Sequence, residues 1–277
     1  MNAVEQIRDS LVSVSGWDFA SATFTELPGG VTNQTWLVES KPVSCVVRLN
    51  STHAGIIDFD RKCELLAHGN AAEIDIAPEI IHYDNENGIL ITEYLPGRVW
   101  SEQDLLSTRN IETIAGILRR VHKLPACGTA LDLASAATQY ERHLQKREGL
   151  HAFALRCVEI VDNLSVESAK VCCHNDIVAA NFVGDELPKL IDWEYAGDND
   201  PFFDLASLIG YHGLQPEMAG ILLSAYTGRQ SSEDRESLDI QVRIYDAIQW
   251  LWLAVRQLDK PSKERFAMLE EIQQRIQ

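Results

Sequence analysis

The character of the sequence changes near Pro96-Gly97, and this change limits the folds that the chain can adopt. Before this point, short strand-like runs alternate with turns that contain Gly and Pro. After it, apolar residues recur at helical spacing, as in the stripe Ile111, Ile114, Leu118 and Val121. The pattern therefore predicts an α+β protein with two lobes. The first is a small β-rich lobe over residues 1–95, and the second is a larger helical lobe over residues 96–277.

The predicted elements can be placed along the chain from the periodicity and the turn residues. In the first lobe we expect strands over Thr23–Leu27, Gln34–Glu39, Ser44–Leu49, Ile80–His82 and Ile89–Tyr94, with one helix over Ile57–His68. In the second lobe, helices run from about Ala134 to Leu150 and from about Ala152 to Leu164, and the final third is helical. Phe182-Val183 and Leu190-Ile191 read as a strand, a turn and a second strand.

Charge and composition exclude several classes of function. The formal net charge of −17 argues against nonspecific binding to nucleic acid or to anionic lipid, since both require a basic surface. The sequence has no uninterrupted apolar stretch long enough to predict a membrane span. Its six cysteines are scattered without CxxC spacing, and the first ten residues lack the apolar region of a signal peptide. We therefore expect a cytoplasmic protein without a nucleic-acid partner or a membrane span.

The segment from His174 to Asn181, read together with Asp192, carries the strongest chemical signal. Asn181 follows Asp176 by five residues, and the predicted hairpin then leads to Asp192. A lone loop Asp usually caps a turn, but phosphoryl transfer from a nucleotide requires this combination of a base and oxygen ligands for magnesium. We predict Asp176 as the catalytic base and Asn181 and Asp192 as Mg²⁺ ligands, with ATP as the donor. His174 is expected to position the loop through hydrogen bonds.

The first lobe holds candidate residues for binding the nucleotide. A turn at Pro28–Asn33 separates two predicted strands, and its glycines would let backbone amides approach phosphate oxygens. An arginine at the end of a later strand offers a rigid fork to phosphate, and a glutamate on the following helix could pair with it. The connection between the lobes could read the adenine edge through its backbone. The candidates are Gly29, Gly30, Thr32, Asn33, Arg48, Glu64, Glu93 and Leu95.

Taken in order, these segments resemble the choline/ethanolamine kinase family within the aminoglycoside phosphotransferase superfamily, with bacterial thiamine kinases close by. The resemblance covers nearly the whole chain and rests on Gly29–Asn33, Val46–Arg48, Thr92–Gly97, His174–Asn181 and Ile191–Gly197. It implies a bilobal protein-kinase-like fold, ATP and Mg²⁺, with Asp176 as base and with Asp192 and Asn181 as metal ligands. It also implies that Asp204 supports the catalytic loop.

The resemblance also indicates the acceptor alcohol. Choline kinases surround the cationic group with carboxylates and tryptophans, and Trp250 and Trp252 occupy the corresponding late helix. Two residues apart, they point to opposite sides of that helix. We favour Trp252 as a substrate contact, with Glu194 and Tyr195 as further candidates. At one position the chain departs from the family, because relatives often carry an aromatic residue where this chain has Gln249.

The leading hypothesis is a small-molecule kinase that phosphorylates a cationic alcohol, choline or ethanolamine first. Thiamine is the alternative, followed by an aminoglycoside or a sugar. A nucleotide-binding protein without turnover is the alternative of another class, although such a protein would not need Asp176. A metal-dependent hydrolase would leave Arg48 and the Gly-rich turn unexplained.

Overall fold

The structure is a computed structural model, and it describes residues 2–12, 14, 21–28, 33–40, 43–50, 60–165 and 169–277. The chain divides into two compact units. The first comprises Met1–Gly55, His68–Val99 and Phe182–Ile191. The second comprises Ile56–Ala67, Trp100–Asn181 and Asp192–Gln277.

The first unit contains a five-stranded antiparallel sheet with the order β1-β2-β3-β5-β4. A short helix, α1 (Ala3–Val12), contributes Ile7 and Leu11 to the same apolar cluster as the buried side chains of the sheet. The sequence did not predict this helix. The strands are β1 (Thr23–Leu27), β2 (Gln34–Ser40), β3 (Val43–Leu49), β4 (Ile80–Asp84) and β5 (Ile89–Glu93), so the predicted meander is present.

The predicted helix after β3 is present but shifted. Helix α2 spans Arg61–Glu73, whereas the expected bounds were Ile57–His68. Residues 57–59 lie outside the described part of the chain. Asp60 accepts hydrogen bonds from the backbone N–H groups of Lys62 and Cys63, so it caps the first turn. The helix therefore begins where its first backbone donors find this carboxylate.

The second unit is built from helices. Several begin at a capping side chain: Ser107 for α3, Asp132 for α4, Asp200 for α6, Ser231 for α8 and Ser262 for α9. Apolar residues of α4, α5, α6, α8 and α9 form one buried cluster. The helices are α3 (Thr108–Val121), α4 (Leu133–Leu144), α5 (Glu148–Leu164), α6 (Pro201–His212), α7 (Pro216–Thr227), α8 (Ser232–Asp259) and α9 (Lys263–Ile276).

Short strands and 3-10 turns occupy the chain between α5 and α6. Strand β6 (Val171–Cys173) pairs antiparallel with β9 (Gly197–Asn199). The predicted hairpin is also present, with β7 (Phe182–Val183) paired to β8 (Lys189–Leu190). Together with the sheet and the helices, these elements confirm the α+β class. In the part of the chain that the structure describes, no helix combines the length and the apolar character that crossing a membrane requires.

Candidate active site

The segment from His174 to Asn181, here called the catalytic loop, is held by side chains of α6. Its backbone N–H groups have few partners in regular secondary structure, and buried donors need acceptors. Asp204 accepts from His174 N and Asn175 N at 3.0 and 2.6 Å. Ser207 Oγ accepts from Ile177 N at 3.0 Å, and His212 Nε2 accepts from Ala179 N at 2.9 Å. One helix therefore fixes the path of the loop.

Burial favours the form of His212 that this contact needs. A protonated imidazole would have no acceptor atom for the Ala179 N–H group. Burial lowers the pKa of His212, while the negative charge of Glu102 opposes this shift. The ring therefore stays neutral near pH 7, with Nε2 as the acceptor.

Asp204 is fully buried and lies at the centre of a polar network. His122 Nε2 lies 2.9 Å from Asp204 Oδ2, and His122 Nδ1 lies 2.7 Å from the Tyr226 hydroxyl. Because a carboxylate only accepts, Nε2 carries the ring proton and Nδ1 accepts from the tyrosine in the neutral ring. The neighbouring Cys173 thiol is kept protonated, since burial raises its pKa well above the usual range. The His122, Cys173 and Asp204 cluster therefore reads as structural support and not as a metal site.

Asp204→Asn is expected to weaken both the fold and the site. The amide would direct N–H donors at a place where two backbone donors and an imidazole already converge. We expect a loss of about 2–4 kcal/mol in the free energy of unfolding and a large fall in turnover. Thermal and urea unfolding would measure the first. Asp200→Asn is the matched control, because Asp200 caps the same helix through Phe202 N alone and should cost about 1 kcal/mol or less.

Asp176 and Asn181 are in direct contact. Asn181 Nδ2 donates to the backbone carbonyl oxygen of Asp176 at 2.9 Å and to its carboxylate Oδ2 at 3.2 Å. Since the carbonyl oxygen of Asp176 can only accept, these bonds fix the orientation of the Asn181 amide. They leave Oδ1 of Asn181 as the atom able to bind a cation. Burial, and then the negative charge of Asp192, raise the pKa of Asp176 to about 7, while the Asn181 amide opposes the shift.

Asp192 lies close enough to Asp176 for its charge to be felt there. It follows the β7–β8 hairpin that begins directly after Asn181. Its backbone is left-handed, with φ 64° and ψ 63°, as is that of Asn175, with φ 65°. Such conformations are strained for residues other than Gly and are tolerated best by Asn and Asp. The backbone strain is therefore located at Asn175, next to Asp176 in the chain, and at Asp192, whose charge acts on Asp176.

The donor set fits a magnesium ion. Mg²⁺ prefers hard oxygen ligands, and the Asp192 carboxylate and the Asn181 amide oxygen are of this type. Burial, and then repulsion from the neighbouring Asp192 carboxylate, raise the pKa of Asp176. A divalent cation at this place would stabilise the ionised form of both.

Asn175 ties the catalytic loop to the chain after Asp192. Its Nδ2 donates to the carbonyl oxygens of Tyr195 and Gly197 at 2.9 and 3.3 Å. Its Oδ1 accepts from Asn199 Nδ2 at 2.9 Å.

His174 is fully buried, its ring lies 4.8 Å from the Trp193 ring, and its Nδ1 accepts from Asp176 N at 3.3 Å. These contacts hold the segments bearing Asp176 and Asp192 together.

Aromatic side chains gather near Asp176. Besides burial, the charge of Asp176 raises the pKa of Tyr195, Tyr211 and Tyr245. Glu194, next to Tyr195, is buried and raises the pKa of that tyrosine further. The site therefore combines negative charge with nearby tyrosine side chains, a setting that suits a cation.

The two tryptophans of α8 differ. Trp250 is 1% exposed and packs in the helical core with its ring 4.6 Å from that of Phe153. Trp252 is half-buried, and the guanidinium of Arg256 lies 5.5 Å from its ring centroid. Trp250 is thus a core residue. The role of Trp252 in binding substrate stays a prediction.

The predicted nucleotide-binding residues belong largely to the first unit. Gly29, Gly30 and Thr32 lie outside the described residues, and Asn33 is buried. Arg48 Nε donates to Asn50 Oδ1 at 3.0 Å, and Glu64 forms an ion pair with Arg61 at 2.6 Å. The expected pairing of Arg48 with Glu64 stays a prediction.

The connection after β5 adds two further candidates. Glu93 N donates to Glu79 O at 2.9 Å, so this amide is already used within the sheet region. Leu95 is half-buried and lies beyond the end of β5. The backbone of Leu95 therefore remains the better candidate of the two for contacting a base.

Sequence reasoning missed several residues that shape the site: His122, Ser207, Tyr211, His212, Tyr226 and Tyr245. A readable signal existed for part of this set, because Asp204, Ser207 and Tyr211 are spaced i, i+3 and i+7 within an otherwise apolar helix. A polar stripe on a buried helix indicates partners elsewhere in the fold. His122 and Tyr245 carry no local signal of this kind.

Known proteins match the chain in sequence and in fold. Protein LicA of Haemophilus influenzae is 24% identical over 246 residues, which cover 83% of this chain and 72% of that protein. A choline/ethanolamine kinase family protein of Mesorhizobium loti superposes with a TM-score of 0.78 at 23% identity, over 99% of this chain and 93% of that one. Choline kinase LicA of Streptococcus pneumoniae gives a TM-score of 0.78 at 20% identity, over 99% and 98%.

The fold likeness confirms the predicted kinase-like fold. The family model described as the phosphotransferase enzyme family matches residues 23–240. This match spans well over half of the chain and includes the catalytic loop, the hairpin and Asp192. It confirms the predicted enzyme class. The chain belongs to the phosphotransferase enzyme family.

Proposed function

We propose that this phosphotransferase moves the γ-phosphoryl group of ATP to the hydroxyl of a small cationic alcohol, choline or ethanolamine. The observation that carries the proposal is the contact of Asp176 with Asn181 beside Asp192. The names of the similar choline kinases support the choice of acceptor. A nucleotide-binding protein without turnover would have no use for such a base.

Asp176 acts as the general base in this proposal. The Asn181 amide donates a hydrogen bond to Oδ2 of Asp176, so the carboxylate is oriented before the alcohol arrives. Its other oxygen can accept the proton of the acceptor hydroxyl as the bond to phosphorus forms. A base works best when its pKa lies near the working pH, and burial together with Asp192 raises that of Asp176 to about 7.

Asn181 and Asp192 would hold Mg²⁺ through the amide oxygen and the carboxylate. When bound, the ion supplies positive charge to the phosphate oxygens of the nucleotide. The left-handed backbone of Asp192 and the bonds that fix the Asn181 amide orient both ligands in advance. This preorganisation limits the cost of assembling the site.

We assign nucleotide binding to the first lobe and the acceptor to the second. Arg48 would contact phosphate, the turn with Gly29, Gly30, Thr32 and Asn33 would cover it, and the Leu95 backbone would read the base. Glu64 and Glu93 complete the proposed nucleotide set. The acidic chain, with net charge −17, does not attract ATP at long range, so local cations have to hold it.

The cationic group of the acceptor would lie among Glu194, Tyr195, Tyr211 and Tyr245, with Trp252 as a further candidate. Burial raises the pKa of each tyrosine, and the charge of Asp176 adds to the shift; for Tyr195 the charge of Glu194 contributes more than that of Asp176. A cation over an aromatic face gains about 0.5–2 kcal/mol per ring. The hydroxyl of a short amino alcohol would then reach Asp176.

ADP release with a panel of alcohols tests the proposal. The panel contains choline, ethanolamine, thiamine, kanamycin and glucose, each with ATP and Mg²⁺. We expect ADP release above the water background with choline or ethanolamine and little with the others. Release with thiamine or kanamycin alone would overturn the acceptor, and release with none would overturn the activity.

A further inference from the structure

The 3-10 turn Ala179–Asn181 ends at the proposed metal ligand Asn181. The first N–H groups of a helical turn have no partner inside the turn and need an acceptor from outside. His212, the last residue of α6, provides one, since its Nε2 lies 2.9 Å from Ala179 N. An imidazole therefore caps the turn from which the Asn181 amide donates to Asp176.

The second nitrogen of the His212 ring faces a carboxylate. Because Nε2 accepts in the neutral ring, the ring proton is on Nδ1. Nδ1 is enclosed, has no hydrogen-bond partner among the described residues, and lies 3.6 Å from Oε1 of Glu102. The Glu102 side chain is 82% exposed and that of His212 is 5% exposed. A movement of the carboxylate by roughly half an ångström would bring it to hydrogen-bond distance.

Packing alone does not explain a histidine at position 212. The Tyr211 ring meets the imidazole edge-on, with 4.8 Å between the ring centroids, and an apolar side chain could make a similar contact. An apolar side chain would, however, take away the acceptor of Ala179 N, and Ala179 is buried. An unpaired buried donor is costly. The nitrogen atoms of His212 are therefore what the catalytic loop requires.

We propose that His212 is a positioning residue for the metal ligand Asn181, and that Glu102 supports His212 by accepting its Nδ1 proton. An acceptor at Nδ1 favours the tautomer whose Nε2 is free to accept the Ala179 N–H group. The capped turn then holds the Asn181 amide against Asp176, with Oδ1 of Asn181 left for the ion. The inference rests on the proposed function. It adds to the site two residues that act through the loop backbone and not on the reacting atoms.

Amide hydrogen exchange and Mg²⁺ activation test the inference together. In His212→Leu, we expect the Ala179 amide to exchange about tenfold faster or more, because its acceptor is gone. The Mg²⁺ concentration for half-maximal ADP release should rise about tenfold, with little change in the KM of choline or ethanolamine, because only the metal ligand is displaced. His212→Gln, whose Oε1 can replace Nε2 as the acceptor, should keep both quantities within about threefold of the parent.

Variants of Glu102 test the supporting contact. Glu102→Gln keeps an acceptor oxygen and should behave like the parent. Glu102→Ala removes it, and we expect a smaller change of about two- to fivefold in both quantities, because the carboxylate is exposed. Gln103→Ala, at an exposed position of the same 3-10 turn, is the matched control and should change neither. Identical behaviour of Glu102→Ala and Gln103→Ala would overturn the role of Glu102.

The outcomes separate this inference from the function on which it depends. Unchanged Ala179 exchange in His212→Leu, or faster exchange with unchanged Mg²⁺ dependence, would overturn the inference while the kinase activity stands. A loss in His212→Gln as large as that in His212→Leu would overturn it as well. Absence of ADP release in the parent with every alcohol would overturn the proposed function and this inference together.

A measurement on the parent protein covers the case in which His212→Leu does not fold. The ¹⁵N NMR shifts of the imidazole report which ring nitrogen carries the proton. We expect a protonated Nδ1 and an unprotonated Nε2 in His212 at neutral pH. The opposite tautomer could not accept from Ala179 N and would overturn the inference without any variant.

Discussion

Asp176→Asn is expected to reduce phosphoryl transfer by about a thousandfold while MgATP still binds. The amide has nearly the shape of the carboxylate but cannot accept a proton from the acceptor hydroxyl. Asn181 keeps its bond to the backbone carbonyl of residue 176, so the amide oxygen that would face the metal stays oriented. The measurements are ADP release with choline and ethanolamine, and the Kd of MgATP by calorimetry.

The same substitution at an exposed position controls for charge. Asp162 lies on the exposed side of α5, and Asp162→Asn should leave kcat and the Kd of MgATP unchanged. If Asp176→Asn instead abolished MgATP binding, Asp176 would belong to the metal and nucleotide site and not to proton transfer. Retained turnover in Asp176→Asn would remove it from the chemistry altogether.

The strands of the first unit could be predicted because neighbouring turn residues mark where they begin and end. Pro28 follows β1, Pro42 precedes β3, and β-branched residues fill the strands between the turns. Helix α1 was missed because only Ile7, Ser10 and Leu11 of its residues are buried. Its stability comes from packing with the sheet residues, and two apolar positions are too few for a periodicity argument.

The boundary between α4 and α5 was placed too late for a related reason. Helix α4 ends at Leu144, whereas the apolar pattern suggested a helix to Leu150. No Gly or Pro marks the break at residues 145–147, and Glu148 and Leu150 belong to α5. The apolar cluster that both helices share decides where the chain turns. The local apolar pattern of the sequence does not reveal this position.

The sequence predicted those features of the site that depend on residues close together in the chain. The spacing of Asp176 and Asn181, and the hairpin that leads to Asp192, are short-range features. Asp204 of α6 holds the loop directly, and His122, just after α3, and Tyr226 of α7 support Asp204. Such contacts join residues far apart in the chain, and a single sequence gives no measure of which distant residues meet.

Asp192→Ala is expected to lower turnover by a thousandfold or more and to remove the normal response to Mg²⁺. The change takes away the proposed carboxylate ligand of the ion. It also takes away the charge that, after burial, raises the pKa of Asp176, so the base becomes more acidic and weaker. Initial rates over a range of Mg²⁺ concentrations would measure both effects.

Two further variants separate charge from backbone strain. Residue 192 has a left-handed backbone with φ 64°, which Ala tolerates poorly and Asn tolerates well. Asp192→Asn should therefore fold like the parent and still lose most activity, because an amide oxygen is a weaker ligand than a carboxylate. Asp185→Ala, in the exposed turn of the same hairpin and 3.6 Å from Arg98, should leave activity and Mg²⁺ dependence unchanged. Full activity in Asp192→Asn at ordinary Mg²⁺ concentrations would show that the carboxylate charge is not required, and the metal site would then have to be sought among other residues.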